Sequence, residues 1–324
     1  MTRLLLPALL LAAAASAEET RTVLLADSSK GRIAVVGPGG EIQWQAMVGP
    51  LHDLHVLPDG HYLYQTDMRT LVEDDPQTDE TVWTFAAKNA LPAGYEGRFE
   101  VHAFQRMADG RTMLAVSGPG VVAEISPEGT LMRTWPLKID DPHPHRDTRL
   151  VRWLDNGHTL AVHEGDGTVR EYDATGTVVW EYAVPLADYP SGRPRDRANG
   201  HGPEAFGNQA FSAVRLPSGN TLIGTGNGHA VIEVTPEKEV VWSLGQNELP
   251  GITLAWVTTL EVLPSGNIMI GNCHAGPENP QLVEVDRDKR VVWTLRDFEN
   301  FGNATTNSQV LQVNGESVVG ETLR

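Results

Sequence analysis

The sequence predicts an all-β fold, a six-bladed β-propeller of four-stranded blades, with seven blades as the alternative. Three observations carry this reading. A unit of short strands rich in Val, Ile, Leu and Thr recurs along the chain. Each unit closes on a tryptophan. The first and last units are incomplete in complementary ways.

The unit begins with a strand that ends in a glycine turn: "HVLPDG", "QRMADG", "VRWLDNG", "VRLPSG", "EVLPSG" and "LQVNG". A second strand follows, as in "HYLYQT", "RTMLAV", "HTLAVH", "NTLIGT" and "NIMIGN". The third reads "GVVAEISP", "GTVREYDA", "HAVIEVTP" or "QLVEVDRD". The fourth carries Trp44, Trp83, Trp135, Trp180, Trp242 or Trp293, spaced by 39, 52, 45, 62 and 51 residues. Short β-rich runs bounded by Gly, Pro, Asn and Asp read as strands. Four of them at such a period read as propeller blades. A blade cannot bury both faces alone, so neighbours stack, and the repeated tryptophan is the natural filler between them.

The ends favour ring closure. "TVLLADSSKGRIAVVGPGGEIQW" lacks a first strand, and "NSQVLQVNGESVVGETLR" supplies one without a Trp strand. Together they complete the sixth blade from the N- and C-terminal strands. "SVVGETLR" is left over, resembling a second strand whose place "TVLLAD" already fills.

Bulk properties narrow the function classes. A formal net charge of −17 argues against nucleic acid and against docking on an anionic membrane. Arg3 precedes an apolar run ending in Ala15-Ser16-Ala17, the layout of a secretory leader. Residues 1–17 are therefore expected to be removed, leaving one propeller domain over 18–324 in the periplasm or outside the cell. No later segment approaches the roughly 18 apolar residues of a membrane span. The one cysteine, Cys273, excludes an intrachain disulfide. Its bland role is that of a small buried hydrophobe.

"VREYDATGTVVWEY" (169–182) resembles the tryptophan-docking repeat of the quinoprotein, or PQQ-like, propellers, and "VIEVTPEKEVVWSL" and "LVEVDRDKRVVWTL" are looser copies. The resemblance spans nearly all of 22–324 and implies the architecture, while saying little of function. Two stretches, "HDLHVLPDG" and "VVWSLGQ", are also similar to the arylsulfotransferase-like propellers. That resemblance implies a channel histidine accepting a sulfuryl group, helped by other His and Arg residues. Thr258 stands where that family places a histidine after "VVWSLGQ", and the chain is short for it. PQQ itself is not expected, because the neighbouring-cysteine pair implied for such dehydrogenases needs two cysteines.

Ligands of propellers gather at the channel mouth, where loops are held by a rigid ring. Aligned on Gly60, Gly110, Gly157, Gly219, Gly266 and Gly315, the six first strands place His52, His102, Arg149, Phe211, Thr258 and Asn307 eight residues upstream. These positions are expected to surround one axis. His52 and His102 are the candidate catalytic residues, suited to acid–base or nucleophilic work near neutral pH. Arg149 and Asn307, with the loop residues His145, His201, Asn208 and His229, are candidate ligand-binding residues, since arginine grips carboxylate, sulfate or phosphate in pairs of hydrogen bonds. Cys273 and His274 form a candidate copper or zinc pair. Against these stand plainer roles: Asp53 capping backbone amides, His55 packing between blades, and His143 and His145 solvated on a proline-rich loop. The stretch 187–209, with Arg193, Arg195 and Arg197, is a candidate lid or a solvated excursion. The sequence thus points to a propeller taking a small anionic ligand or a protein segment, with a sulfuryl-transferring enzyme and a metal site as alternatives.

Overall fold

All six turn glycines used for the alignment have φ between 82° and 91°. Only glycine adopts this backbone without strain, so the turn positions are fixed by sterics. From each turn a pair of antiparallel strands departs, and the computed structural model, which describes residues 19–185, 201–207 and 209–324, assembles these strands into six sheets.

Blade 1 comprises Leu54–Val56, Tyr62–Asp67, Thr70–Asp75 and Glu80–Ala86. Blade 2 comprises Glu100–Arg106, Thr112–Ser117, Val121–Ile125 and Leu131–Pro136. Blade 3 comprises Leu150–Trp153, Thr159–His163, Thr168–Tyr172 and Val178–Ala183. Blade 4 comprises Ser212–Arg215, Thr221–Gly224, Val231–Val234 and Val240–Leu244. Blade 5 comprises Trp256–Val262, Ile268–Cys273, Leu282–Val285 and Val291–Leu295. Blade 6 joins the two ends: Thr305–Val313 pairs with Arg21–Asp27, followed by Arg32–Val36 and Ile42–Met47.

Six blades therefore close the ring as the sequence implies. The leftover "SVVGETLR" is not a redundant second strand. Glu316–Ser317 pairs with Val313 and Gln312 on the inner edge of blade 6. The chain then bridges Val262 of blade 5 through Leu323 and sets Arg324 against the Leu54 carbonyl of blade 1. The expected leader, residues 1–17, and most of the 187–209 excursion, including Arg193, Arg195 and Arg197, lie outside the described residues. Among the described residues no helix is long and apolar enough to cross a membrane.

Among the described residues, six of the seven apolar core clusters are each shared by two adjacent blades and each contain one repeat tryptophan. Trp242, for example, packs with Leu244 of blade 4 and with Val283 and Val285 of blade 5. A second device lies beside the tryptophans. The third strands carry a glutamate in cross-strand register with the Trp: Glu73 with Trp83, Glu171 with Trp180, Glu233 with Trp242 and Glu284 with Trp293. An arginine from the next blade grips that glutamate at 2.6 Å: Arg106, Arg215, Arg287 and Arg21 respectively. Arg106, Arg215 and Arg287 also lie over the tryptophan ring, at 4.6, 5.4 and 5.5 Å. Each such blade junction thus combines apolar burial with a cation held by a carboxylate and a π face.

The Arg21–Glu284 pair is the buried member of this series and links blade 6 to blade 5. Removing one partner of a buried pair leaves an uncompensated charge. Glu284→Gln should lower the unfolding free energy by about 3 kcal/mol. Asp288→Asn, at the exposed pair with Arg290, should change it by less than about 1 kcal/mol. Urea denaturation of both variants checks this; equal effects would mean the buried pair does not hold the ring closed.

Candidate functional site

The aligned column converges. The ring centroids of His52 and His102 lie 4.7 Å apart. His145 joins them at 5.8 Å from His52 and 5.1 Å from His102. Arg149 Nη1 stands 3.1 Å from His102 Nδ1 and 3.2 Å from both ring nitrogens of His52. The Arg149 guanidinium lies over the Phe211 ring at 5.5 Å. Asn307 Nδ2 donates to the His52 carbonyl at 2.9 Å, and Thr258 Oγ1 donates to the Thr305 carbonyl at 3.2 Å. Six residues scattered from 52 to 307 are thereby brought around one axis.

Local backbone irregularity aims some of these groups. In blade 2 the register passes from Val101 to Ala103, so His102 sits in a bulge. In blade 5 it passes from Val257 to Leu260, leaving Thr258 and Thr259 unpaired in the ladder. Bulges of this kind turn a side chain away from the regular alternation.

Two carboxylates complete the constellation, and sequence reasoning missed both. Glu164, on the loop between the second and third strands of blade 3, forms a buried pair with Arg149 Nε. Glu100 Oε2 accepts from His145 Nδ1 at 2.6 Å and lies 3.2 Å from His102 Nε2. Its other oxygen accepts from Arg98 at 2.5 Å. The available signal was alternation: Glu100 stands two residues before His102 at the start of a strand.

Electrostatics keep the imidazoles neutral. Burial, then the positive charge of Arg149, lowers His102 to about 3. The same two causes hold His52 well below the ordinary histidine value and lower His145. Burial alone would raise the Glu100 carboxyl, but the nearby His102 ring and hydrogen bonds from His145 and Arg98 outweigh it and hold it below the usual carboxylate range.

The remaining candidates fall elsewhere. His201 packs at a tilt against His274, ring centroids 4.7 Å apart, and against Trp256 at 5.1 Å, forming a separate aromatic group at blades 4 and 5. His229 faces backbone carbonyls with both nitrogens, those of Ala255 and Ala205, so neither is presented to the channel. Asn208 lies outside the described residues. Cys273 is buried against Phe211 and Trp256, and burial pushes its thiol well up, which favours the protonated form over a metal-binding thiolate. His274 is lowered to about 4 by burial and by His201. Among the described residues no third ligand joins Cys273 and His274. His55 packs as expected, bonded to the Phe104 carbonyl at 2.7 Å. Asp53 does cap backbone amides, those of Leu54 and Phe104, and it also holds Arg152 with both oxygens, at 2.7 and 3.0 Å.

The channel narrows at this level. A gap of about 10 Å³ lies between His52, Asp53, Arg149, Thr258, Asn307 and Arg324. Beyond it, on the face of the glycine turns, opens a cavity of about 790 Å³ lined by His55, Arg106, Arg152, Trp153, Arg215 and Arg324 among others.

Several solved structures share this architecture. A protein of unknown function from Bacteroides caccae aligns with a TM-score of 0.69 at 21% identity, over 88% of this chain and 97% of that one. A streptogramin B lyase aligns at 0.56 and 10% identity, over 86% and 80%. An inactive virginiamycin B lyase from Staphylococcus aureus, solved with quinupristin, aligns at 0.53 and 8% identity, over 88% and 87%. At these identities the likeness is one of fold. No curated protein matches the sequence. The family model described as outer membrane protein assembly factor BamB matches residues 29–295, and with its PQQ-like repeats and six closed blades the chain belongs to that family.

Proposed function

We propose that the chain is a binding propeller whose channel mouth takes a small anionic group, a carboxylate, sulfate or phosphate, on Arg149 and the imidazoles of His52, His102 and His145. The observation that carries this is the position of one guanidinium against two neutral histidines at 3.1–3.2 Å. After burial, its charge is the main cause of their lowered proton affinity, and an anion placed there would offset that charge. A protein segment presenting an acidic side chain would use the same contacts. A sulfuryl-accepting histidine is less favoured, because His102 has one nitrogen on Arg149 and the other toward Glu100. The leader-like "LLLPALLLAAAASA" (4–17) further supports export, with a mature chain beginning at Glu18. Intact-mass measurement on protein from an export-competent host should read that N-terminus; a retained Met1 would refute it.

Binding should take up protons. In the free protein the imidazoles lie below their ordinary value, and a bound anion raises them. Affinity for sulfate or phosphate should therefore increase as pH falls from about 8 to about 6. Calorimetric titration in buffers of different ionisation enthalpy measures the uptake. His145→Ala should weaken binding roughly tenfold, the cost of one charge-assisted hydrogen bond. Pure pH independence, or proton release, would sink the reading.

The same neutral histidines set an acid limit to stability. A histidine held neutral in the fold but free to protonate when unfolded contributes stability fully present above its unfolded value, about 6.5. That stability declines as pH falls toward the folded value, about 3 for His102. His163, lowered to about 4, adds to the trend. Melting temperature should drop between pH 6.5 and 4, and His102→Gln should flatten that slope; an unchanged slope would show that His102 binds its proton equally in the folded and unfolded states.

A further inference from the structure

We propose that Glu100, His102 and His145 form a binding site for one divalent transition-metal ion, of the zinc or iron(II) type, at the rim of the channel. Their three donor atoms all lie within 4.8 Å of one another. Glu100 Oε2 is 2.6 Å from His145 Nδ1 and 3.2 Å from His102 Nε2. Donor–metal bonds of about 2.0–2.2 Å in a tetrahedral site separate neighbouring donors by about 3.4 Å, so small movements admit an ion.

A second observation points the same way. His102 Nε2 is buried and makes no hydrogen bond, although Glu100 is near. An orphaned buried imidazole nitrogen is costly, and a metal ion satisfies it. The supporting groups are those a metal site needs. Arg98 fixes the second oxygen of Glu100. The His143–Asp147 turn fixes His145: Asp147 Oδ1 accepts from His143 N at 2.5 Å, and the His143 carbonyl accepts from the amides of Arg146 and Asp147. The His145 side chain is 39% exposed, which gives the ion a route in and leaves an open coordination position facing solvent. Two imidazoles and one carboxylate with an open position match borderline transition ions rather than calcium or magnesium, which take oxygen sets.

Occupancy requires one rearrangement. A metal on Nε2 places the hydrogen of His102 on Nδ1, which now faces Arg149 Nη1 at 3.1 Å. Arg149 has to release His102 while keeping Glu164 on Nε. The metal site stands on its own donors and not on the anion reading. The other cluster, Asp59, His61 and Glu73, carries no such inference, because Asp59 is exposed and Glu73 is committed to Arg106.

The test uses tag-free, chelator-stripped protein in buffer without sulfate or phosphate. Zn²⁺ alone, then Co²⁺ alone, is titrated in and the protein is desalted. One equivalent should be retained, with Co²⁺ giving a visible ligand-field absorption. His145→Ala, half-exposed and expected to fold, and Glu100→Gln should each weaken retention by roughly 100-fold. His61→Ala and Cys273→Ser should retain the full equivalent. Wild-type protein that holds no more metal than His145→Ala overturns the site, as does loss of retention in Cys273→Ser. Anion binding measured separately in the metal-free protein reads the earlier proposal independently of this result.

Discussion

Asp53 carries one buried negative charge to the place where four blades meet. Its two oxygens accept from the amides of Leu54 in blade 1 and Phe104 in blade 2, from both guanidinium ends of Arg152 in blade 3, and from Asn307 in blade 6. Burial alone would raise such a carboxyl, but Arg152 and His55 hold it far below the usual range. A buried ion pair of this kind need not be worth more than apolar packing, yet it cannot tolerate loss of one partner. Its value here is geometric. It sets the first strands of these blades against each other, and His52, one residue upstream of Asp53, is carried to the axis by that constraint.

The repeat was legible because its determinants are local. Six glycines with positive φ mark six turns, and no other residue type takes that backbone without cost. Counting eight residues back from them found the channel column, since a strand has a fixed rise. That count brings His52, His102 and Arg149 to one level, and the bulge at His102 completes their convergence. What the repeat could not reveal are pairings between unlike positions. Glu164 belongs to no column, and its link to Arg149 depends on loop geometry within blade 3. Glu100 meets His145 only because the proline-rich 137–149 connection folds back over blade 2. The plain reading of His145 as solvated was half right: the ring is partly exposed, but one nitrogen is fixed. "SVVGETLR" misled because strand propensity does not say which edge a strand will join.

The histidine cluster and the large cavity occupy opposite sides of the Asp53 layer. The gap at that layer, about 10 Å³, is room for about one water molecule. The two ends are therefore chemically separate. The upper end is tight and polar, with histidines kept neutral by burial and by a single cation. The lower end is roomy, about 790 Å³, but Arg106 and Arg215 there are committed to the glutamates of the blade clamps. Size alone would choose the lower end as the binding site, whereas uncommitted chemistry chooses the upper one.

That choice turns on what each arginine does. Arg106, Arg152 and Arg215 each face a carboxylate through a terminal guanidinium nitrogen, so their charge is spent on the fold. Arg149 differs. Glu164 takes its Nε, and Nη1 is left against imidazole nitrogens that are poor partners for a cation only while they can protonate. Keeping them neutral is what makes the contact favourable, and it is also what makes it replaceable. A better acceptor for Nη1, such as the proposed anion, would replace the contact because it also offsets the cation that, after burial, lowers the histidines. A metal on the far side of His102 loosens the same contact by moving the ring hydrogen. Both proposals thus act through one hydrogen bond, Arg149 to His102, and the fold around Asp53 stays as it is while that bond changes hands.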